Sequence, residues 1–499
     1  MIRYATAISI WLCRLVFVLA IVWPTLALLR KCVSQGAAPS DGFTFTSRQW
    51  LLLLRSVWMA SVATVGAMVL ALPAARVLGR LGTLRRGTIY VSALLLLLLC
   101  PPTVYAFGWE RLLPAEFNPY VRCIGVWMLW SWPVPAVILG LGWARSGKAA
   151  YEAALLDTTG ASAFMTTALP VMGKYLALSA AVLFLFLLGE YGVPHACALQ
   201  VFATELLGWA ASSGRAIDVV WPALSILVVT MAALLIVLTL WRRCAADEPV
   251  DAGERPPSGR APIAVAYTLI LFGAGWGVPL ASLVARMGGP AALGAAFTVY
   301  GRDLAWSLGV ASASAIIAVA MGVALAMSRG WRSVGLFWSL AFGMLPGALV
   351  GEALIAAYNK DALWWLYDYA PIVGIGYLAR FGWVGVLVGY AIVRGSPRHL
   401  SDQARVDGAT KTQVTIWVQV PLHLSLLLGG AAVVVALSMA EIATTSLVRV
   451  PGYAPISLVL VEKFHRFEDG MLASLSLWLV ACCLPGVVFV LAGLRRSRS

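Results

Sequence analysis

The chain alternates between long apolar runs and short polar punctuation. Set against the roughly 20 apolar residues a helix needs to cross a bilayer core, the runs predict membrane helices near 5–29, 56–78, 88–108, 123–143, 173–196 and 219–241. A second set is predicted near 262–285, 304–327, 334–357, 371–393, 422–447 and 471–493. About twelve helices result, six on each side of one polar segment. That segment, Arg242 to Ala261, is rich in proline, charge and small residues and reads as a linker. The expected organisation is a first transmembrane domain over 1–241, a cytoplasmic linker over 242–261 and a second transmembrane domain over 262–499. Hydrocarbon offers a backbone N–H no partner outside the chain, so only helices or a closed barrel can span it. The short alternating segments of a barrel are missing, and an all-α membrane protein is expected.

Landmarks of different chemistry recur at one spacing. Pro170 and Pro421, Glu190 and Glu441, and Ser56 and Ser307 are each 251 residues apart, and Asp157 and Asp407 are 250 apart. A constant offset across unlike residues marks an internal repeat. With an even number of spans per half, both copies point the same way, giving two tandem parallel six-helix repeats.

Composition agrees with this reading. Of 499 residues 61% are hydrophobic and only 12% charged, with a mean hydropathy of +0.87, which excludes a soluble globular protein. The net charge of +14 would suggest nucleic acid as partner for a soluble chain. Here the basic residues collect in loops expected to stay cytoplasmic, so no nucleic-acid partner is expected. With the N-terminus inside, those loops hold Arg76, Arg80, Arg85 and Arg86, then Arg145 and Lys148, then the linker arginines. Arg329 and Arg332 follow, then Arg394, Arg398, Arg405 and Lys411, and finally the tail from Arg495, so both termini are expected in the cytoplasm. Arg14 interrupts the first apolar run and no small-x-small site follows promptly, which reads as an uncleaved first span. The eight cysteines are scattered without a CxxC, and His195, His399, His423 and His465 are dispersed, so neither a disulfide framework nor a metal site is expected.

Two polar islands interrupt the apolar pattern. In Ser401 to Pro421 (SDQARVDGATKTQVTIWVQVP), Ser401 is expected to cap a short helix, Gly408 to allow a turn, and Thr410 to Val418 to form a second helix. Pro421 then opens the next span. The weaker copy is Tyr151 to Pro170 (YEAALLDTTGASAFMTTALP). Read from spacing alone, each is a cytoplasmic helix-turn-helix loop suited either to a protein contact or to plain solvation.

Asp402-Gln403-Ala404, Gly408 and Val418-Gln419-Val420-Pro421 resemble the EAA loop of ABC importer permeases. That family's pattern is Glu-Ala-Ala, three residues, Gly, nine residues, then an apolar residue, any residue, Leu and Pro. Asp402, Gln403 and Val420 depart from it in identity but not in spacing. The first island keeps Glu152, Ala153, Ala154, Asp157 and Pro170, but Thr158 stands at the glycine position, Gly160 follows two residues later, and one residue is missing before the proline. The resemblance implies that these residues, with Asp407, couple the chain to an ATPase dimer that carries the ATP and Mg²⁺. It implies no cofactor on this chain and no enzymatic activity of its own. The stretches 101–109, 189–192, 202–205 and 440–445, with Pro451-Gly452, look like the fused two-domain permeases of the iron(III) importer family. That likeness implies a bacterial inner-membrane protein receiving cargo from a periplasmic binding protein at 194–218 and 448–470. Iron(III) leads as cargo, with thiamine, polyamine and phosphonate open.

Glu190 and Glu441 each lie 20 residues past their loop proline, which on a continuous helix is roughly 30 Å further across the bilayer. Ionisable groups inside a span are costly and therefore candidates for a pathway or gating role. The structural alternative is that each pairs with an arginine or caps a broken helix near Gly192 or Thr444-Thr445. Gly142 to Ala149 nearly spells a phosphate loop, but Ala149 replaces the Mg²⁺-ligating hydroxyl and a membrane span precedes it. Two rival readings are a secondary transporter of the major facilitator kind and a polytopic membrane enzyme. The first calls for a Gly-Asp-Arg type loop, whereas Arg76 to Gly87 contains no acid; the second calls for clustered His, Asp or Glu, and only Glu110 and Glu116 share a loop.

Overall fold

Among the described residues, seven helices are long and apolar enough to cross a membrane: Ile8–Ser34, Ser47–Gly79, Ala216–Cys244, Ile263–Arg286, Pro290–Ala326, Ala370–Gly395 and Asp469–Gly486. Four more candidate spans are broken pairs: Pro119–Ser131 with Pro133–Arg145 (bent 45°), Gly160–Val171 with Gly173–Leu188 (65°), Gly330–Gly343 with Gly347–Tyr358 (109°), and Val414–Leu422 with Leu424–Ala440 (76°). Counting each pair once gives up to eleven spans against the twelve expected. The computed structural model describes residues 2–35, 39, 44–81, 90, 94, 97–110, 112–114, 116–245, 262–396 and 398–496, and among these no strand occurs. The remaining expected span, 88–108, lies partly outside the described residues, as do linker residues 246–261 and Arg85, Arg86, Arg255 and Arg260. Before that gap the helix Ala216–Ala245 runs on into the segment read as linker.

Proline accounts for the breaks. Pro133 and Pro346 stand at two of them, and Pro170 and Pro421 lie two residues before the bends at Met172 and His423. Lacking an N–H and clashing with the preceding turn, proline kinks a helix where it cannot be accommodated at a first turn. The straight helices expected over 173–196 and 422–447 are therefore not formed. Gly173–Leu188 stops short of Glu190, and Leu424–Ala440 stops at the residue before Glu441.

Each half of the chain lends its first helix to the other. The N-terminal span lies against the C-terminal half: Phe17 meets Trp331 edge-on at 6.4 Å, Tyr358 Oη donates to the Leu19 carbonyl at 2.6 Å, and Lys31 Nζ is 3.8 Å from Glu352 Oε2. In return the helix beginning at Pro262 packs on the N-terminal half, where Tyr90 Oη donates to Thr268 Oγ1 at 2.8 Å. One continuous buried core runs through both halves. Outside it, Trp11, Leu54, Val65, Val228, Ile270 and Val299 are each more than half exposed, a face that suits lipid rather than water.

The closest helix crossing is built from small residues. A Cβ at Gly322 would strike the Gly385 carbonyl, one at Gly385 the Ala318 carbonyl, and one at Gly389 the Gly322 carbonyl. Small residues four apart let two membrane helices approach to backbone contact. Gly385→Val should therefore cost more than the about 1–3 kcal/mol of ordinary overpacking. Thermal unfolding in detergent checks this, with a large drop expected for Gly385→Val and little change for Gly374→Ala, whose Cβ would meet Ser314 Oγ at 3.4 Å and Val310 Cγ1 at 3.8 Å.

Candidate functional site

Where the broken helices of the two halves meet, they line a cavity of about 80 Å³. Thr103, Glu190 and Tyr191 line it from one half, and Met344, Arg380 and Glu441 from the other. Both glutamates are buried, each 9% exposed.

Each carboxylate is held by a short helix that follows a break. Glu190 Oε1 accepts from the Gly192 N–H at 2.6 Å, and Oε2 accepts from the Val193 N–H and Trp127 Nε1, both at 3.0 Å. Those amides open the helix Gly192–Ala196, and a carboxylate suits the positive end of a helix. Glu441 repeats the arrangement, with Oε1 accepting from the Thr444 N–H at 2.8 Å ahead of Ala443–Leu447. Gly192 leaves no room for a side chain, since a Cβ would strike the Thr103 hydroxyl.

Arg380 distinguishes the two sites. It comes from the middle of Ala370–Gly395, and its Nε lies 3.5 Å from Glu441 Oε2. Its Nη1 donates to the Gly343 and Leu345 carbonyls, freed at the 109° break, and its Nη2 reaches the Gly189 carbonyl at 3.5 Å. One guanidinium thus ties the helix end beside Glu190 to the segment carrying Glu441. Because both carboxylates are already engaged, the arrangement acts as a joint between the halves.

The islands lie at the other end of the broken helices, about 24 Å away along the 16 residues of Gly173–Leu188. The second island contains the helix Arg398–Val406, which begins before Ser401. Ser401 is therefore not the expected cap; it sits inside the helix, its Oγ 3.4 Å from Gln419 Nε2. The helix ends on Gly408, whose φ of +84° is the left-handed conformation that glycine adopts without strain, and the Ala409 N–H closes back on the Ala404 carbonyl at 2.9 Å. Thr410 and Gln413 then form a reciprocal cap, with the Thr410 N–H donating to Gln413 Oε1 at 2.8 Å. The second expected helix is mostly a widened turn over Val414–Gln419, and Pro421 precedes the bend rather than opening a straight span.

The first island has the same parts in a different closure. Lys148–Ala154 packs on the widened turn Phe164–Ala168, just as Arg398–Val406 packs on Val414–Gln419. It turns without a left-handed residue: Thr158 closes back on the Ala154 carbonyl through its N–H at 3.0 Å and its hydroxyl at 3.2 Å. Glu152, Ala153, Asp157, Asp402, Gln403 and Asp407 are all exposed, and Asp402 pairs with Arg405 at 3.6 Å. Each tip also bares an apolar side chain almost fully, Leu156 at 87% and Val406 at 88% exposure. The near phosphate loop at 142–149 is helical throughout, so it forms no loop of amides.

Comparison with family models, curated proteins and solved structures gave no match. The site therefore rests on its own geometry. Two of its features escaped the sequence reading. Arg380 sits in an apolar span with no counterpart at the repeat spacing, where Leu129 stands; its only signal was a lone intramembrane charge. His195 and His465, read as dispersed, meet across the halves with Nε2 atoms 3.2 Å apart, a contact 270 residues apart in sequence that no local spacing reports.

Proposed function

We propose that this chain is the permease of a bacterial ABC importer, its two halves forming one translocation pathway in the inner membrane. An ATPase dimer docks on the islands at the cytoplasmic face, and a periplasmic binding protein delivers cargo at the opposite face. The carrying observation is that unlike features pair up at nearly one spacing. The Phe202 N–H donates to Ser56 Oγ at 2.9 Å and the Ile456 N–H to Ser307 Oγ at 3.0 Å, the serines lying 251 residues apart and their donors 254. Bends of 65° and 76° come just after Pro170 and Pro421, and Glu190 and Glu441 each cap the short helix that comes next. These pairs support a tandem repeat with twelve spans and both termini in the cytoplasm.

In this reading the ATPase closes on ATP, the islands move with it, and the broken helices carry that motion to the joint at Arg380. Glu190 and Glu441 serve the gate, and opening it enlarges the cavity for cargo. Iron(III) is the proposed cargo, with thiamine, polyamine or phosphonate as alternatives. The bared Leu156 and Val406 support docking because they stand at matching places of the two islands, 250 residues apart as Asp157 and Asp407 are.

Val406→Asp should weaken ATPase binding by about tenfold or more while leaving membrane insertion intact, and Leu156→Asp should have a smaller effect. Pull-down of ATPase with the tagged chain measures both. Undiminished capture by the double variant would argue against docking at the islands. Uptake driven by a proton gradient without ATP would favour a secondary transporter instead.

A further inference from the structure

Two histidines meet at the end of the bundle remote from the islands. His195 belongs to Gly192–Ala196 and His465 ends Ile456–His465; their Nε2 atoms are 3.2 Å apart and their rings cross at 82°. In the neutral pair one Nε2–H donates to the lone pair of the other ring. The second nitrogen of His195 is engaged too, with Tyr191 Oη 3.1 Å from Nδ1 and the two rings stacked at 5.0 Å. When Nδ1–H donates to that hydroxyl, the lone pair at Nε2 points at His465.

We propose that His195 and His465 form a two-imidazole site for a borderline divalent transition-metal ion of the zinc, nickel or copper class, which pins the two halves of the chain together. Two imidazole nitrogens about 2.0–2.1 Å from one tetrahedral ion lie about 3.4 Å apart, so the observed 3.2 Å asks for only a small shift. Tyr191 meets the second requirement of such a site, an acceptor for the far N–H of a ligating imidazole. His465 is exposed, and water reaches the remaining coordination positions. The flanking cations are neutralised, Lys463 by Glu468 at 2.8 Å and Arg466 by Glu462 at 3.0 Å. Binding releases no proton: the shared hydrogen moves to the Nδ1 of His465, and both Nε2 lone pairs face the ion.

The site stands independently of the permease reading, but it bears on the cavity. Tyr191 lines the cavity, and a metal on His195 would fix the short helix that Glu190 caps. The full-length chain, purified in nanodiscs, is titrated with Zn²⁺ and Ni²⁺ by calorimetry and its thermal unfolding is followed. The wild type should take up one equivalent, with a Tm that rises with metal concentration. His195→Gln and His465→Gln should lose both effects while keeping the metal-free Tm, and Tyr191→Phe should weaken affinity by about tenfold or more. Equal uptake by wild type and the double glutamine variant, or no saturable uptake by the wild type, would overturn the proposal and leave a plain N–H···N bond.

Discussion

Arg380→Gln should open the joint between the halves and leave transport uncontrolled. The guanidinium is the cation beside the buried Glu441, and it also satisfies carbonyls at Gly343, Leu345 and Gly189. Removing one partner of a buried ion pair costs about 3–5 kcal/mol, because the remaining charge is left uncompensated. The fall in Tm should be large, and liposomes holding the variant should leak small ions without ATP. Arg380→Gln combined with Glu441→Gln should recover much of the Tm, since the stranded carboxylate is gone, but should not restore the seal. A double variant as unstable as the single one would mean that the carbonyl contacts, not the ion pair, carry the stability.

Gly408→Pro should separate ATP hydrolysis from uptake. Gly408 holds a φ of +84°, whereas proline is fixed near −65°. The reversal that ends Arg398–Val406 cannot form with proline there, and the island loses the closure between Ala409 and Ala404. Uptake should fall by about tenfold or more, the scale of a coupling free energy of about 1–3 kcal/mol, while the chain still inserts and the ATPase still turns over. A bulky replacement of Ala404 should act in the same direction. Thr158→Pro should cost less: it gives up the Thr158 bonds to the Ala154 carbonyl but forces no left-handed backbone to φ near −65°. Equal losses at positions 408 and 158 would contradict that inequality; normal uptake by Gly408→Pro would contradict coupling through the island altogether.

How much was legible beforehand depended on how local the cause was. Apolar runs of span length report helices directly: seven of the expected spans have a single-helix counterpart, and up to eleven if each broken pair counts as one span. Gly408 was legible because the need for a left-handed turn acts on a single residue. The bends were only half legible. Pro170 and Pro421 were seen, but read as openings of straight spans, because a proline suits a first helical turn as well as a kink. Glu190 and Glu441 stood out as charges in apolar sequence, and the alternative that each caps a broken helix near Gly192 or Thr444, or pairs with an arginine, is what the structure shows; which arginine was not legible, because Arg380 arrives from another span. Ser401 was misplaced because capping residues are also tolerated inside helices, and the helix already includes Arg398. The His195–His465 contact was invisible for a simpler reason, since packing between the halves alone creates it.

The central claim is that a separate ATPase drives this chain through the two islands. It is tested most directly by purifying the tagged chain with whatever ATP-hydrolysing subunit accompanies it, reconstituting both in liposomes and measuring uptake of iron(III) and the alternative cargos with and without ATP. The account predicts an ATPase dimer bound per chain and uptake that requires ATP and is lost in Gly408→Pro. Uptake sustained by a proton gradient, with no ATPase retained and no effect of Gly408→Pro, would contradict it.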